Sequence, residues 1–245
     1  MARVLLLPGL ACDAELWRDQ TPALLAAGHL VHISDAHTRH ASLPQMAQAL
    51  LAQQPGAFIA VGSSMGGMLA LELQRPAPER VHGLALLVSS ARADTPELLK
   101  LRSDAIVLFE QGCMNEVLAP NVPLALHPQA AGHAAPVADY LAMMARAGAK
   151  QLTAQNRAVM ARDDQRARLG GIACPVLVVC GEDDLLTPPE LSILWVATAS
   201  GLRPASQHVS GGPVTGAAET GRARASWSRG LAPHRSGKPR SGRYK

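Results

Sequence analysis

Five short apolar runs, separated by segments of helical periodicity, limit what this chain can fold into. They are RVLLLPG (3–9), HLVHISDA (29–36), AFIAVGSS (57–64), VHGLALLVSS (81–90) and CPVLVVCGEDD (174–184). Strands that are apolar on both faces belong in a parallel sheet covered by helices on both sides. The intervening text supplies such helices. TPALLAAGH (21–29) predicts one with Thr21 as cap, Pro22 at its first position and Gly28 at its end. SLPQMAQALLAQQPG (42–56), with Ser42 near its cap, and MGGMLALELQ (65–74) predict two more. With 245 residues, 48% of them hydrophobic, the chain can bury one sizeable core. Only 3% are aromatic, so Leu, Val and Ala must fill it.

Between the fourth and fifth runs the periodicity changes. PELLKLRSDAIVLFEQ (96–111), APVADYLAMMARAGA (135–149) and KQLTAQNRAVMAR (150–162) repeat their apolar positions at three and four. They predict an inserted group of helices, a lid over the carboxyl ends of the strands. The expected organisation is a core of residues 1–91 and 166–192, a lid of residues 92–165, and a tail of residues 193–245. The tail is rich in Arg, Gly, Ser and Pro and is expected to be disordered, since it lacks the apolar surface to offset its ordering entropy.

Charge divides along the same line. Of 23 Lys/Arg and 19 Asp/Glu, residues 201–245 hold nine basic groups and one acid, Glu219. Residues 1–200 hold the remaining 14 and 18, a net of −4 against +8 for the end of the chain. The overall +4 therefore describes neither part and is not a nucleic-acid footprint. The four cysteines, Cys12, Cys113, Cys174 and Cys180, form no C-x-x-C pair, and two sit in apolar runs, so they read as buried thiols in a reducing compartment rather than a disulfide frame. No apolar run reaches membrane-spanning length, and Pro8 and Gly9 interrupt the one leader-like stretch, so a cytoplasmic protein is expected.

The chemistry concentrates in VGSSMGG, where Gly-x-Ser-x-Gly falls on Gly62, Ser64 and Gly66. By itself the pattern is weak, but here an apolar strand enters it and a Leu/Ala helix leaves it. A serine on a tight strand-to-helix turn adopts a strained backbone and projects its hydroxyl above the sheet. Glycines on either side remove side chains that would collide with the neighbouring strand and helix. The turn also sets the Met65 N–H at a helix N-terminus, aimed at a reacting carbonyl oxygen. The bland alternative is a Gly/Ser-rich turn that only packs tightly or binds a phosphate.

Three stretches, LLLPGLACDAELW, VGSSMGGMLALEL and QNRAVMARDDQRARLGGIACPVLVVCGEDDLLTPPE, resemble the α/β-hydrolases, and within them the small lid-bearing serine esterases and lactonases. The resemblance covers residues 1 to 192. It implies an α/β-hydrolase fold, a mostly parallel sheet flanked by helices with a helical lid, and hydrolysis of a carboxylic ester or lactone through an acyl-enzyme on Ser64. It implies that Leu10 joins Met65 in donating backbone N–H groups to the oxyanion, and that Asp184, favoured over its neighbour Asp183, orients a histidine. A small-molecule ester, lactone or thioester is the expected partner, with no metal, organic cofactor, membrane or nucleic acid.

The family places its histidine after a further strand, near position 212. HVSGGPVTG occupies that place, with no apolar strand before it and no Gly-His pair. His208 is the nearest candidate and His234 the next. His29, His32, His37 and His40 precede the serine, and His127 and His133 lie in the insertion. Two accounts of the tail compete. Its composition is what GC-rich DNA yields when read out of frame, so that the last strand and helix are missing; this account is favoured. Alternatively it is a basic arm for an acidic partner. A chain without its base would be impaired as an enzyme, and the rival reading is a catalytically dead small-molecule binding protein with a basic interaction tail.

Overall fold

The computed structural model describes residues 1–181, 184 and 187. Its strands are β1 (Arg3–Leu7), β2 (Leu30–Ile33), β3 (Phe58–Ser63), β4 (Val81–Leu87) and β5 (Val176–Val179). Its helices are α1 (Gln20–Ala26), α2 (Ala36–Arg39), α3 (Leu43–Gln53), α4 (Met65–Gln74), α5 (Pro96–Glu110), α6 (Met114–Ala125), α7 (Pro128–Ala131) and α8 (Ala134–Met160). The described strands make one parallel sheet in the order β2-β1-β3-β4-β5.

The inner strands β1, β3 and β4 are buried on both faces, as their composition requires, whereas β2 and β5, at the ends of the described sheet, are only partly buried. Leu5, Leu7, Ala60, Leu84 and Leu86 point to one side, against Met46 and Leu50 of α3 and Met68 and Leu69 of α4. Val4, Leu6, Ile59, Val61 and Ala85 point to the other, against Trp17 and Leu24. Because β3 and α4 sit at the centre, α4 is buried nearly all round, from Met65 to Leu73. Its single acid, Glu72, is 6% exposed and is paired with Arg75 and Arg168.

Local chemistry sets several ends. The Ser42 hydroxyl accepts from the Gln45 N–H and starts α3. Arg80 closes that helix by donating to the Leu51, Gln54 and Gly56 carbonyls while lying over the Phe58 ring. Thr21 is not a cap: α1 begins at Gln20, and the Thr21 hydroxyl donates back to the Trp17 carbonyl. The short helical turn Ala14–Trp17, capped by the Asp13 carboxylate, delivers the chain into α1 two residues earlier than Pro22 suggests.

The stretch between β4 and β5 is helical, α5 to α8. The two helices expected at 135–149 and 150–162 run as α8, which is broken at Gly148 (φ 70°, ψ 167°). The same stretch holds α6, with Pro120 and Pro123 inside it. Phe109, Leu118, Met143, Met144 and Leu152 pack together, and with them Ala11 from the loop after β1. Among the described residues no helix is long and apolar enough to cross a membrane.

Candidate active site

β1, β3 and β4 all end at one cavity of about 520 Å³. The chain leaving each strand carries a non-glycine residue with positive φ: Ala11 (59°), Ser64 (51°) and Val88 (45°). L-residues, and a β-branched valine above all, avoid this region. Such strain persists only where the surroundings over-determine it, and it gathers at functional sites.

Ser64 links β3 directly to α4, with φ 51° and ψ −115°. Its backbone is fixed from four directions. The Ser64 N–H donates to the Leu87 carbonyl at 2.9 Å. The Ser64 carbonyl accepts from the Gly67 N–H at 2.9 Å, the Met68 N–H at 3.3 Å and the Ser89 hydroxyl at 2.8 Å. The flanking glycines are required by contact. A Cβ on Gly66 would overlap the Leu7 carbonyl oxygen, and one on Gly62 would overlap the Gly66 carbonyl. So held, the half-buried Ser64 side chain lines the cavity.

Leu10 and Met65 line the same cavity. Met65 is the first residue of α4, where a backbone N–H has no intrahelical partner. The loop after β1, which carries Leu10, is held by the insertion. The Ala11 N–H donates to Gln155 Oε1 at 2.6 Å, and Gln155 Nε2 donates to the His37 carbonyl at 3.1 Å. His37 Nε2 in turn donates to the Cys12 carbonyl at 2.7 Å. Burial lowers the His37 pKa, since a charged imidazolium would be stranded away from water; the Cys12 hydrogen bond opposes this in part. The neutral ring keeps its proton on the nitrogen facing that carbonyl.

Asp184 lines the cavity too. One carboxylate oxygen accepts from the Thr187 N–H at 2.7 Å and the other from its hydroxyl at 3.0 Å. Asp183, His208 and His234 lie outside the described residues, as does the tail. His127, in the segment between α6 and α7, lines the cavity with Ser64 and Asp184. His29, His32, His37, His40 and His133 are not among its lining residues. Cys12 also lines the cavity; burial pushes its thiol up to about 12, which keeps it protonated near neutral pH. All four cysteines are free, and each is half-buried rather than in the core. Among the described residues no three His, Cys, Asp or Glu side chains gather as a metal site.

Gln155 and the Arg102–Asp94–Arg162 cluster, which also lines the cavity, have no signature in the sequence. Gln155 meets Ala11 across 144 positions, a separation at which no local spacing rule operates.

A family model described as the alpha/beta hydrolase family matches residues 4–214. The match runs past residue 192 and spans position 208. A putative carbamate hydrolase, RutD, from Variovorax paradoxus is 31% identical over 226 residues, covering 84% of this chain and 81% of the relative. A pimeloyl-[acyl-carrier protein] methyl ester esterase from Nitrosomonas europaea is 30% identical over 155 residues, covering 60% of this chain and 61% of the relative. The solved structure of a thermophilic esterase from Thermogutta terrifontis superposes with a TM-score of 0.79 at 22% identity, over 94% of this chain and 90% of that one. The chain belongs to the alpha/beta hydrolase family, and its fold is the α/β-hydrolase fold.

Proposed function

We propose that the protein hydrolyses carboxylic esters, open-chain or cyclic, through an acyl-enzyme on Ser64. The observation that carries this reading is the strained Ser64 turn between β3 and α4, with its side chain facing the cavity that Asp184 also lines. In this reading the Ser64 hydroxyl attacks the ester carbonyl as a base takes its proton. The oxyanion that forms accepts from the Met65 and Leu10 N–H groups. The alcohol leaves with the proton returned by the base, and water then releases the acid by the same steps in reverse. Asp184, oriented by Thr187, holds the base. The esterase among the relatives supports the reaction class.

His208 is the base in this scheme. The family match spans its position. His127 is the second reading, favoured by its place in the cavity wall. Residues 92–165 act as the lid, since α5 and α8 contribute to the same wall.

A fluorophosphonate probe, which labels only an activated serine, tests the scheme on the full chain. One adduct is expected by intact mass. Peptide mapping places it on Ser64, and it disappears in Ser64→Ala. His208→Ala should slow labelling by several orders of magnitude and His127→Ala should not; the opposite pattern makes His127 the base. Absence of labelling, with esters still bound, turns the protein into a binder and sinks the enzyme.

A further inference from the structure

The cavity wall beside α5 carries charge that the reaction does not use. Asp94, in the segment before α5, is buried, with its side chain 4% exposed. It accepts from Arg102 Nε on one oxygen at 2.7 Å and from Arg162 Nη2 on the other at 2.8 Å. Among the described residues one carboxylate thus faces two guanidiniums, which leaves one positive charge in excess in a largely apolar cavity. A buried net charge is costly unless a counter-ion meets it.

The donor count points the same way. Arg162, also 4% exposed at its side chain, donates Nη1 to the Val159 carbonyl and Nη2 to the Arg92 carbonyl as well as to Asp94, and keeps a buried Nε–H with no hydrogen-bond partner among the described residues. Arg102 spends Nε on Asp94 and Nη1 on Asn156 at 2.8 Å. Among the described residues its Nη2 makes no hydrogen bond, and its side chain, 27% exposed, lines the cavity. Arg92 adds a third guanidinium to the lining. Among the described residues the acids that line the cavity are Asp94 and Asp184, and Asp184 has Thr187 on both its oxygens. The rest of the lining is mostly apolar, with Met68, Leu98 and Phe109 among it.

We propose that Arg102, backed by Arg162 and Arg92, forms an anion subsite, and that the preferred substrate is an ester bearing a second, free carboxylate. A carboxylate is the planar, two-oxygen partner that a guanidinium edge is shaped to receive. This rests on the cavity being the substrate site of the proposed reaction. Arg102 is then a specificity-determining residue. It selects the substrate and takes no part in bond making.

Binding to the full-length Ser64→Ala protein tests this without turnover. Calorimetry compares three ligands of matched length: the monomethyl ester of a dicarboxylic acid, an acyloxyalkanoate with its carboxylate in the alcohol half, and a neutral methyl ester. One carboxylate ligand is expected to bind about tenfold or more tightly than the neutral one, and which of the two does so assigns the anion to the acyl or the alcohol half. Arg102→Gln should remove that preference while moving the neutral ligand by less than about threefold, and Arg102→Lys should restore part of it. Arg92→Gln, which removes no described side-chain hydrogen bond, should cut the anionic affinity by about two- to threefold and serves where Arg102→Gln does not fold. Equal affinities for all three ligands, or an Arg102→Gln loss shared equally by charged and neutral ligands, overturns the proposal. Missing fluorophosphonate labelling with the preference intact overturns the enzyme reading alone.

Discussion

Ser64 is held at a φ of 51° because its surroundings leave no other course: four hydrogen bonds fix its peptide groups, Gly66 lets α4 approach β1, and Gly62 lets it approach β3. A methyl group at Gly66 would meet the Leu7 backbone, which cannot step aside as a flexible side chain does. Gly66→Ala should therefore destabilise the protein by about 3 kcal/mol or more, read as a shift in the urea midpoint. Gly171→Ala, which meets nothing within reach of a Cβ, should leave the midpoint nearly unchanged. The pattern around Ser64 was fully legible in the chain, because a strand-to-helix turn is local and its residues are near neighbours. His37 was not. It reads as one histidine among several upstream of the serine, yet it is 4% exposed and its pKa is lowered by burial. The unfolded chain binds a proton near the ordinary value of 6.5 and the folded protein does so only at lower pH. The stability this imidazole contributes is therefore fully present above about pH 6.5 and is lost as pH falls through its folded pKa. Urea midpoints measured from pH 8 to pH 5 should fall in the wild type and fall less in His37→Gln.

Elements followed their local signals where those signals were strong. The α4 limits at 65 and 74, the Ser42 start of α3 and the five strands all agree with the text of the chain. α6 was invisible because Pro120 and Pro123 read as helix breakers; each removes one backbone donor, and partners in α5 and α8 hold the helix nonetheless. The tie between α8 and the loop after β1 also lay beyond local reading. Gln155, 1% exposed, satisfies the Ala11 N–H and the His37 carbonyl together. Gln155→Ala should leave both unpaired, at about 1–3 kcal/mol each. If Leu10 serves the oxyanion as proposed, the same variant should lower kcat on an ester while leaving KM nearly unchanged, because a displaced donor weakens the transition state more than the ground state.

In the whole molecule, the helices between β4 and β5 are not a body that stands alone. Their buried cluster is completed by Ala11, and by Leu10, Cys12 and Leu16 packed against it. Asp94, Arg102 and Arg162 knot the exit of β4, α5 and the end of α8 together. Residues 92–165 expressed as a fragment should therefore show no cooperative thermal transition and little dispersion in amide spectra, whereas the full chain should lose its α8 and sheet signals in one step. The run of apolar strands, their alternation with helices and the strand–Ser64–helix turn were written in the chain, since each depends on residues a few positions apart and on the sorting of apolar from polar groups. The gathering of Gln155 onto Ala11, of His127 into the wall that holds Ser64 and Asp184, and of two guanidiniums around Asp94 was decided only by folding. Those contacts join positions remote in sequence, and their energies come from burial and from the pairing of charge, neither of which exists until the helices close over the strand ends.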